Sequence, residues 1–328
     1  MKKKTVSTIT LAVVIALVVA ITAFYIVRFA SSTKFLKVSE KVQKIPGMMQ
    51  GFIPQGLTYM DEAKLYLVCG YMDNGSASRI YKLDGNGDAS VIYLQKQDGS
   101  TYTGHAGGIT AAGDYIYISN ASKIFVLNAA DVQTAPDGST LAFIGAFQVP
   151  CRASFCSSDG VRLYVGDYHA AGYQTAENHT IRVSDGDTYH AVTYGFNLDP
   201  AGQFGVADTT CPDIAFSTCD RVQGFAIVGN RAVLSCSGGL ANSKLRLYTA
   251  TGTDSTLRVN GRDIPLVMLD NSRHILTLTM PQRSEDIEFR NSRLYIGFEA
   301  GARKFGLGII PVSIRTIRSI DLSALMIS

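Results

Sequence analysis

The chain lacks most of the short signatures that reveal a protein's chemistry. It has no HExxH pair, no GxSxG elbow, no P-loop and no GxGxxG opening a helix. These absences remove the common metalloprotease, esterase, NTPase and dinucleotide-binding readings. Its six cysteines, Cys69, Cys151, Cys156, Cys211, Cys219 and Cys236, show no CxxC spacing, so a zinc cluster has no cysteine framework. Helical periodicity is scarce as well: beyond the first segment no window carries a 3.6-residue apolar stripe of useful length. No basic run occurs outside the N-terminus, which leaves no electrostatic case for nucleic acid.

What is present begins with that N-terminus. Lys2, Lys3 and Lys4 precede an uncharged stretch over residues 5–27, which as a helix spans ~35 Å and crosses a bilayer. The expected organisation is a cytoplasmic tail at 1–4, a transmembrane signal anchor at 5–30 and an extracytoplasmic domain at 31–328. The basic flank puts the N-terminus in the cytoplasm. A cleaved signal peptide is the competing reading, because residues 20–23 supply small side chains near a cleavage site. The first 34 residues hold five of the 30 basic side chains and no acidic one, so the net charge of +3 becomes −2 for the rest. In an oxidising compartment the even cysteine set admits local Cys151–Cys156 and Cys211–Cys219 bridges, with Cys69 and Cys236 as buried thiols.

The rest of the chain is repetitive. A short strand, a turn and a strongly alternating strand recur five times: "QGLTYMDEAKLYLVCGY" from Gln55, "HAGGITAAGDYIYISN" from His105, "RASFCSSDGVRLYVGDY" from Arg152, "QGFAIVGNRAVLSCSGG" from Gln223 and "EDIEFRNSRLYIGFEAG" from Glu285. A third strand follows each, at "SRIYKLD", "SKIFVLN", "HTIRVSD", "SKLRLYT" and "IRSIDLS". A fourth follows the first four units, near "SVIYLQ", "LAFIGAFQV", "AVTYGFNL" and "HILTLTM". The fifth unit runs out of chain, and "KFLKVSEKV" from Lys34 stands where its fourth strand is needed. The expected fold is all-β, a five-bladed β-propeller closed by an N-terminal strand and preceded by one transmembrane helix. The unit starts lie 50, 47, 71 and 62 residues apart, and the 71-residue interval leaves room for a degenerate sixth blade.

In a propeller the residues leading into the innermost strands meet at one channel mouth. Gln55, His105, Arg152, Gln223 and Glu285 are therefore expected to converge, with Asp286 beside Glu285. Loops between second and third strands reach the same face and carry Tyr71, Asp73, Asn120, Asp167, Tyr168, His169, Glu299 and Lys304. The candidate ligand-binding set is Gln55, His105, Arg152, Asp167, His169, Gln223, Glu285, Asp286 and Glu299. Adjacent carboxylates at Glu285 and Asp286 repel unless a cation or Arg152 offsets them, which makes Glu285 the candidate metal ligand and Ca2+ or another divalent cation the candidate cofactor. The plainer alternative is that the channel is wet and these groups bond to backbone and water. "DGNGD" from Asp84 begins like a calcium loop but lacks the Gly and Glu that such a loop requires, so it reads as a hairpin turn.

"FIPQGLTY", "HAGGI", "VQGFA" and "SEDIEF…YIGFEAGARKF" resemble a group of membrane-anchored or secreted bacterial β-propeller proteins of unassigned activity. More distantly the chain is similar to propellers of the gluconolactonase, strictosidine synthase and arylesterase type. That resemblance implies six blades and, in hydrolytic members, a divalent cation on the channel axis held by an acidic residue where a blade begins. Glu285 matches that requirement, whereas Gln55, His105, Arg152 and Gln223 depart from it. The expected function is a membrane-tethered, monomeric ectodomain that binds an extracellular polar ligand such as a glycan, a peptide or an envelope partner. A cation-dependent hydrolase and a structural scaffold are the alternatives.

Overall fold

The computed structural model describes residues 2–306 and 310–323. Five antiparallel blades of four strands each surround a central channel, each blade beginning at its innermost strand. Blade 1 comprises Phe52–Met60, Leu65–Met72, Arg79–Leu83 and Ala89–Gln95. Blade 2 comprises Gly108–Ala112, Tyr115–Asn120, Lys123–Asn128 and Gly145–Gln148. Blade 3 comprises Phe155–Ser158, Arg162–Gly166, Ala191–Asn197 and Ile214–Thr218. Blade 4 comprises Val222–Val228, Arg231–Cys236, Ser243–Thr249 and His274–Met280. Blade 5 takes Ser284–Arg290, Arg293–Phe298 and Thr316–Asp321 from the C-terminal end, and Glu40–Lys44 from the N-terminal end as its outer strand. The inner strands touch in sequence round the ring, the last packing on the first.

Alternation along each strand buries one side chain in two against the neighbouring blade. The apolar core accordingly divides into five clusters, one per seam between blades. Two outer edges are covered rather than left open. The segment Ser139–Ala142, ahead of blade 2's fourth strand, pairs in parallel with Ala89–Gln95 of blade 1. The hairpin Ser255–Val259 and Arg262–Met268, ahead of blade 4's fourth strand, reaches back to pair in parallel with Ile214–Thr218 of blade 3.

Several expectations need correction. No sixth blade occupies the long interval. It holds an excursion over residues 167–190 between the second and third strands of blade 3, containing a turn at Glu177–His179 and a two-residue hairpin of Ile181–Arg182 with Thr188–Tyr189. "HTIRVSD" is therefore part of that excursion, and "AVTYGFNL" is the third strand rather than the fourth. The closing strand starts at Glu40, because Lys34–Val38 continues a single helix from Lys2. One short helix, Ala129–Thr134, also lies within blade 2. The proposed cysteine bridges are absent: Cys151, Cys156 and Cys211 are buried thiols contacting the carbonyls of Val165, Tyr117 and Val259. The "DGNGD" segment is a turn, as expected, with Asp84 accepting the backbone N–H groups of Asn86, Gly87 and Asp88.

The N-terminal helix is long and apolar enough over Ile9–Val38 to cross a membrane. Its last turns dock on the propeller. Asn242, in the loop between blade 4's second and third strands, donates from Nδ2 to the Arg28 carbonyl and to Ser31 Oγ, each at 2.7 Å. Further along, Phe35 is wholly buried with its ring 5.8 Å from that of Phe298. Glu40 then pairs with Ser319 in mid-strand. The helix thus descends from a loop on the mouth face toward the middle of blade 5, so residues before Arg28 leave the propeller on the mouth face.

Candidate functional site at the channel mouth

All five leading residues, Gln55, His105, Arg152, Gln223 and Glu285, line one cavity of about 480 Å³ on the channel axis. Local backbone devices aim them there. In blades 1, 4 and 5 the inner strand carries a β-bulge at the leading residue, between Pro54 and Gly56, Val222 and Gly224, and Ser284 and Ile287. A bulge adds one residue and re-aims its side chain, here out of the sheet and into the mouth. In blades 2 and 3 the residue after the leading one takes the left-handed conformation instead, Ala106 at φ 50° and Ala153 at φ 53°. The glycines behind the leading residues let neighbouring strands close on the axis: a Cβ on Gly56 would stand 2.4 Å from the Ile109 nitrogen.

Carboxyl groups and one guanidinium form the floor on the side of blades 5 and 1. Arg283 Nη1 lies 2.6 Å from Glu299 Oε1, and Gln55 Nε2 donates to Glu299 Oε2 at 3.2 Å. Arg283 also covers the Phe305 ring, 3.8 Å from its centroid. Glu285 is almost wholly buried, and burial together with the adjacent Glu299 carboxylate pushes its carboxyl well above the ordinary range, against the pull of Arg283. Burial raises Glu299 too, opposed by Arg283, by the Gln55 amide and by Lys304.

The walls are aromatic. His105 stacks on Tyr71 with ring centroids 4.6 Å apart, and Lys304 Nζ donates to the Tyr71 hydroxyl at 3.1 Å. Burial, with Lys304 nearby, pushes the imidazole of His105 down to about 4, so it is neutral near pH 7. Across the cavity Tyr168 and Tyr173 meet edge to face at 5.6 Å, and the Arg152 guanidinium lies 5.9 Å over the Tyr173 ring. Near neutral pH the cavity therefore holds a neutral imidazole, together with a carboxyl whose hold on its proton is strengthened by burial and by Glu299, beside Arg152, Arg283 and Lys304.

Three of the nine candidate residues stand elsewhere. Asp167 is buried behind the wall, accepting the Arg152 backbone N–H at 2.8 Å and meeting His179 Nδ1 at 2.6 Å. Asp286 lies below the floor, where its carboxylate accepts the Leu57 N–H at 3.3 Å and its own neighbour's N–H, from Ile287, at 3.0 Å. His169 faces away from the cavity toward Asp220. The Arg152–Glu285 pairing, the alternative to a cation, does not form: Arg152 Nη1 donates to the Gln174 carbonyl at 2.7 Å, and Arg283 is the cation beside Glu285. Sequence reasoning missed Arg283 and Phe305. Arg283, two residues ahead of a leading carboxylate, was the one available signal.

No protein-family model and no curated protein matches the chain. Among solved structures it is similar in fold to glutaminyl cyclase from Myxococcus xanthus, at 8% identity over 86% of this chain and 94% of that one, with a TM-score of 0.41. It is similar also to a GH43_1 enzyme from Xanthomonas citri, at 12% identity over 90% and 92% of the two chains, with a TM-score of 0.43. BamB from Moraxella catarrhalis aligns at 10% identity over 82% and 84%, with a TM-score of 0.34. At these identities and TM-scores no argument rests on the likeness; by its own strand topology the chain is a five-bladed β-propeller with an apolar N-terminal helix.

Proposed function

We propose that this protein is a membrane-tethered binding propeller whose channel mouth receives a polar ligand, an acidic glycan in the first instance. One observation carries the reading: five side chains at equivalent points of the repeat, otherwise scattered over 230 residues of sequence, meet in a single cavity of about 480 Å³. Such a concave site, with aromatic walls and a few fixed polar groups, has the anatomy of a small-ligand pocket. The faces of Tyr71, Tyr168 and Tyr173 suit sugar rings. Arg152 and Lys304 give the cavity a cationic bias that suits carboxylated sugars.

The N-terminal helix serves in this reading as an uncleaved anchor with its lysines in the cytoplasm. Because it leaves the propeller on the mouth face, the cavity opens toward the membrane surface, and its ligand is one held or delivered there. An axial divalent cation is the alternative. Its donors would be Glu285, Glu299 and Gln55, yet Glu299 is already engaged by Arg283 and Gln55, and calcium needs six to eight oxygens. The donor set fits such an ion poorly, and no chemical step is assigned to one.

The test is a thermal-shift and calorimetric comparison of uronate-containing oligosaccharides, their neutral counterparts and short acidic peptides against the detergent-solubilised full chain. An acidic oligosaccharide is expected to bind, with affinity reduced at least tenfold in Arg152→Ala and Lys304→Ala, at unchanged stability. Preference for the peptides would replace the glycan reading. Absence of binding throughout, or binding indifferent to both substitutions, would overturn the site.

A further inference from the structure

Behind the cavity wall, three side chains from separate segments converge. His169 follows Tyr168 at the start of the long blade 3 excursion, His190 ends that excursion, and Asp220 sits in the connection between blades 3 and 4. The two imidazoles stack with centroids 4.7 Å apart. Asp220 Oδ1 lies 3.1 Å from His169 Nδ1 and 3.3 Å from His190 Nδ1. One donor atom from each of the three residues falls within 4.8 Å of the others.

Hydrogen bonding accounts for only part of the cluster: His190 Nδ1 lies within hydrogen-bonding distance of Asp220 Oδ1, at 3.3 Å. His169 Nδ1 is buried without a hydrogen-bond partner, although Asp220 Oδ1 stands 3.1 Å away. A buried ring nitrogen without a partner is costly. An atom placed between the three donors would satisfy it. Ligands about 2.0–2.1 Å from a tetrahedral zinc ion stand roughly 3.3 Å from one another, close to both separations seen here. Two imidazoles and one carboxylate, with the remaining position open to water, are a donor set for divalent transition metals rather than for calcium or magnesium, which prefer oxygen alone.

We propose that His169, His190 and Asp220 bind one divalent transition-metal ion of the zinc class, off the channel axis and separate from the mouth cavity. The ion would tie both ends of the excursion to the blade 3–4 connection. The neighbouring backbone already makes one such tie, the Arg221 N–H donating to the His169 carbonyl at 3.0 Å. Since Tyr168 of the cavity wall is the next residue to His169, the metal would hold that wall in place.

The experiment uses the full-length chain in detergent, free of any histidine tag and stripped with a chelator, titrated with Zn2+ in competition with a chromophoric chelator. One equivalent per chain is expected to bind, with affinity at least 100-fold weaker in Asp220→Asn, at an exposed position, in His190→Ala, at a half-buried one, and in His169→Ala. His274→Ala, on the outer strand of blade 4, should leave it unchanged. Co2+ in place of Zn2+ should give a visible ligand-field band that Asp220→Asn removes. Failure to retain one equivalent, or equal affinity in wild type, Asp220→Asn and His190→Ala, would overturn the proposal.

Discussion

Asp167 of blade 3 and Glu285 of blade 5 are both almost inaccessible to solvent near the same face, yet their surroundings differ in kind. Asp167 is met by donors: the Arg152 N–H at 2.8 Å, His179 Nδ1 at 2.6 Å and the Val192 N–H at 3.4 Å. His179 is held in turn by the Tyr194 hydroxyl at 2.9 Å. Glu285 instead faces a second carboxyl, Glu299, and a guanidinium already committed to that neighbour. Burial alone therefore does not tell a structural acid from an available one. The number of donors aimed at the carboxylate does: one acid fixes an excursion onto the sheet, and the other presents a polarised group to a cavity.

The strongest way to break the comparison is Asp167→Ala. It leaves the buried His179 ring nitrogen and two backbone N–H groups without an acceptor, and breaking a buried hydrogen-bonded pair of this kind costs about 3–5 kcal/mol. Denaturant unfolding should show a loss of that size, with the 167–190 excursion turning sensitive to protease. A loss below about 1 kcal/mol would mean that Asp167 is no more structural than Glu285.

A second, intermediate effect comes from inside the channel. Glu288 accepts the Thr58 hydroxyl at 3.1 Å, and burial pushes its carboxyl up to about 8. An acid whose folded value lies above its unfolded value binds more protons when folded, so stability falls as pH rises between them. The melting temperature should therefore decline from about pH 4.5 to about pH 8. In Glu288→Gln that component should vanish, and an unchanged slope would remove Glu288 as its source.

The readable parts of this chain were those where one periodic signal dominates. "LYLVCGY" and "RLYIGF" alternate so strongly that two strands of the same role, the second in blades 1 and 5, declare themselves, and aligning them brings the leading residues into register. The misreadings have physical causes. "KFLKV" stands where the ring needs a closing strand, but Phe35 and Leu36 pack as the last turns of a helix on the seam of blades 4 and 5. "HTIRVSD" does alternate, though only because a short hairpin buries Ile181 and Val183 against blade 3. Pairing between blades was harder still. The partner of Glu285 depends on where each side chain sits round the ring, and Arg283, which precedes the repeat unit, carries no periodic mark. Asp167 and His179 meet only because the excursion folds back, and twelve residues of loop leave no trace of that in the sequence.

The smallest effect sharpens the comparison from the other side. If burial and Glu299 keep Glu285 protonated, Glu285→Gln exchanges one neutral, hydrogen-bonding group for another of equal size, and stability near pH 7 should change by less than about 1 kcal/mol. A protonated buried carboxyl also has its own infrared carbonyl band, and near pH 7 Glu285→Gln should remove one component of that absorption, distinct from the component that Glu288→Gln removes. Ligand affinity should nevertheless fall, since an amide replaces an acid at the cavity floor. Loss of about 3 kcal/mol or more would instead mean that Glu285 is ionised and balances Arg283, whose guanidinium would then be left with Glu299 alone. In that event Glu285 would belong with Asp167 as a structural acid, and the binding role of the floor would rest on Gln55 and Glu299.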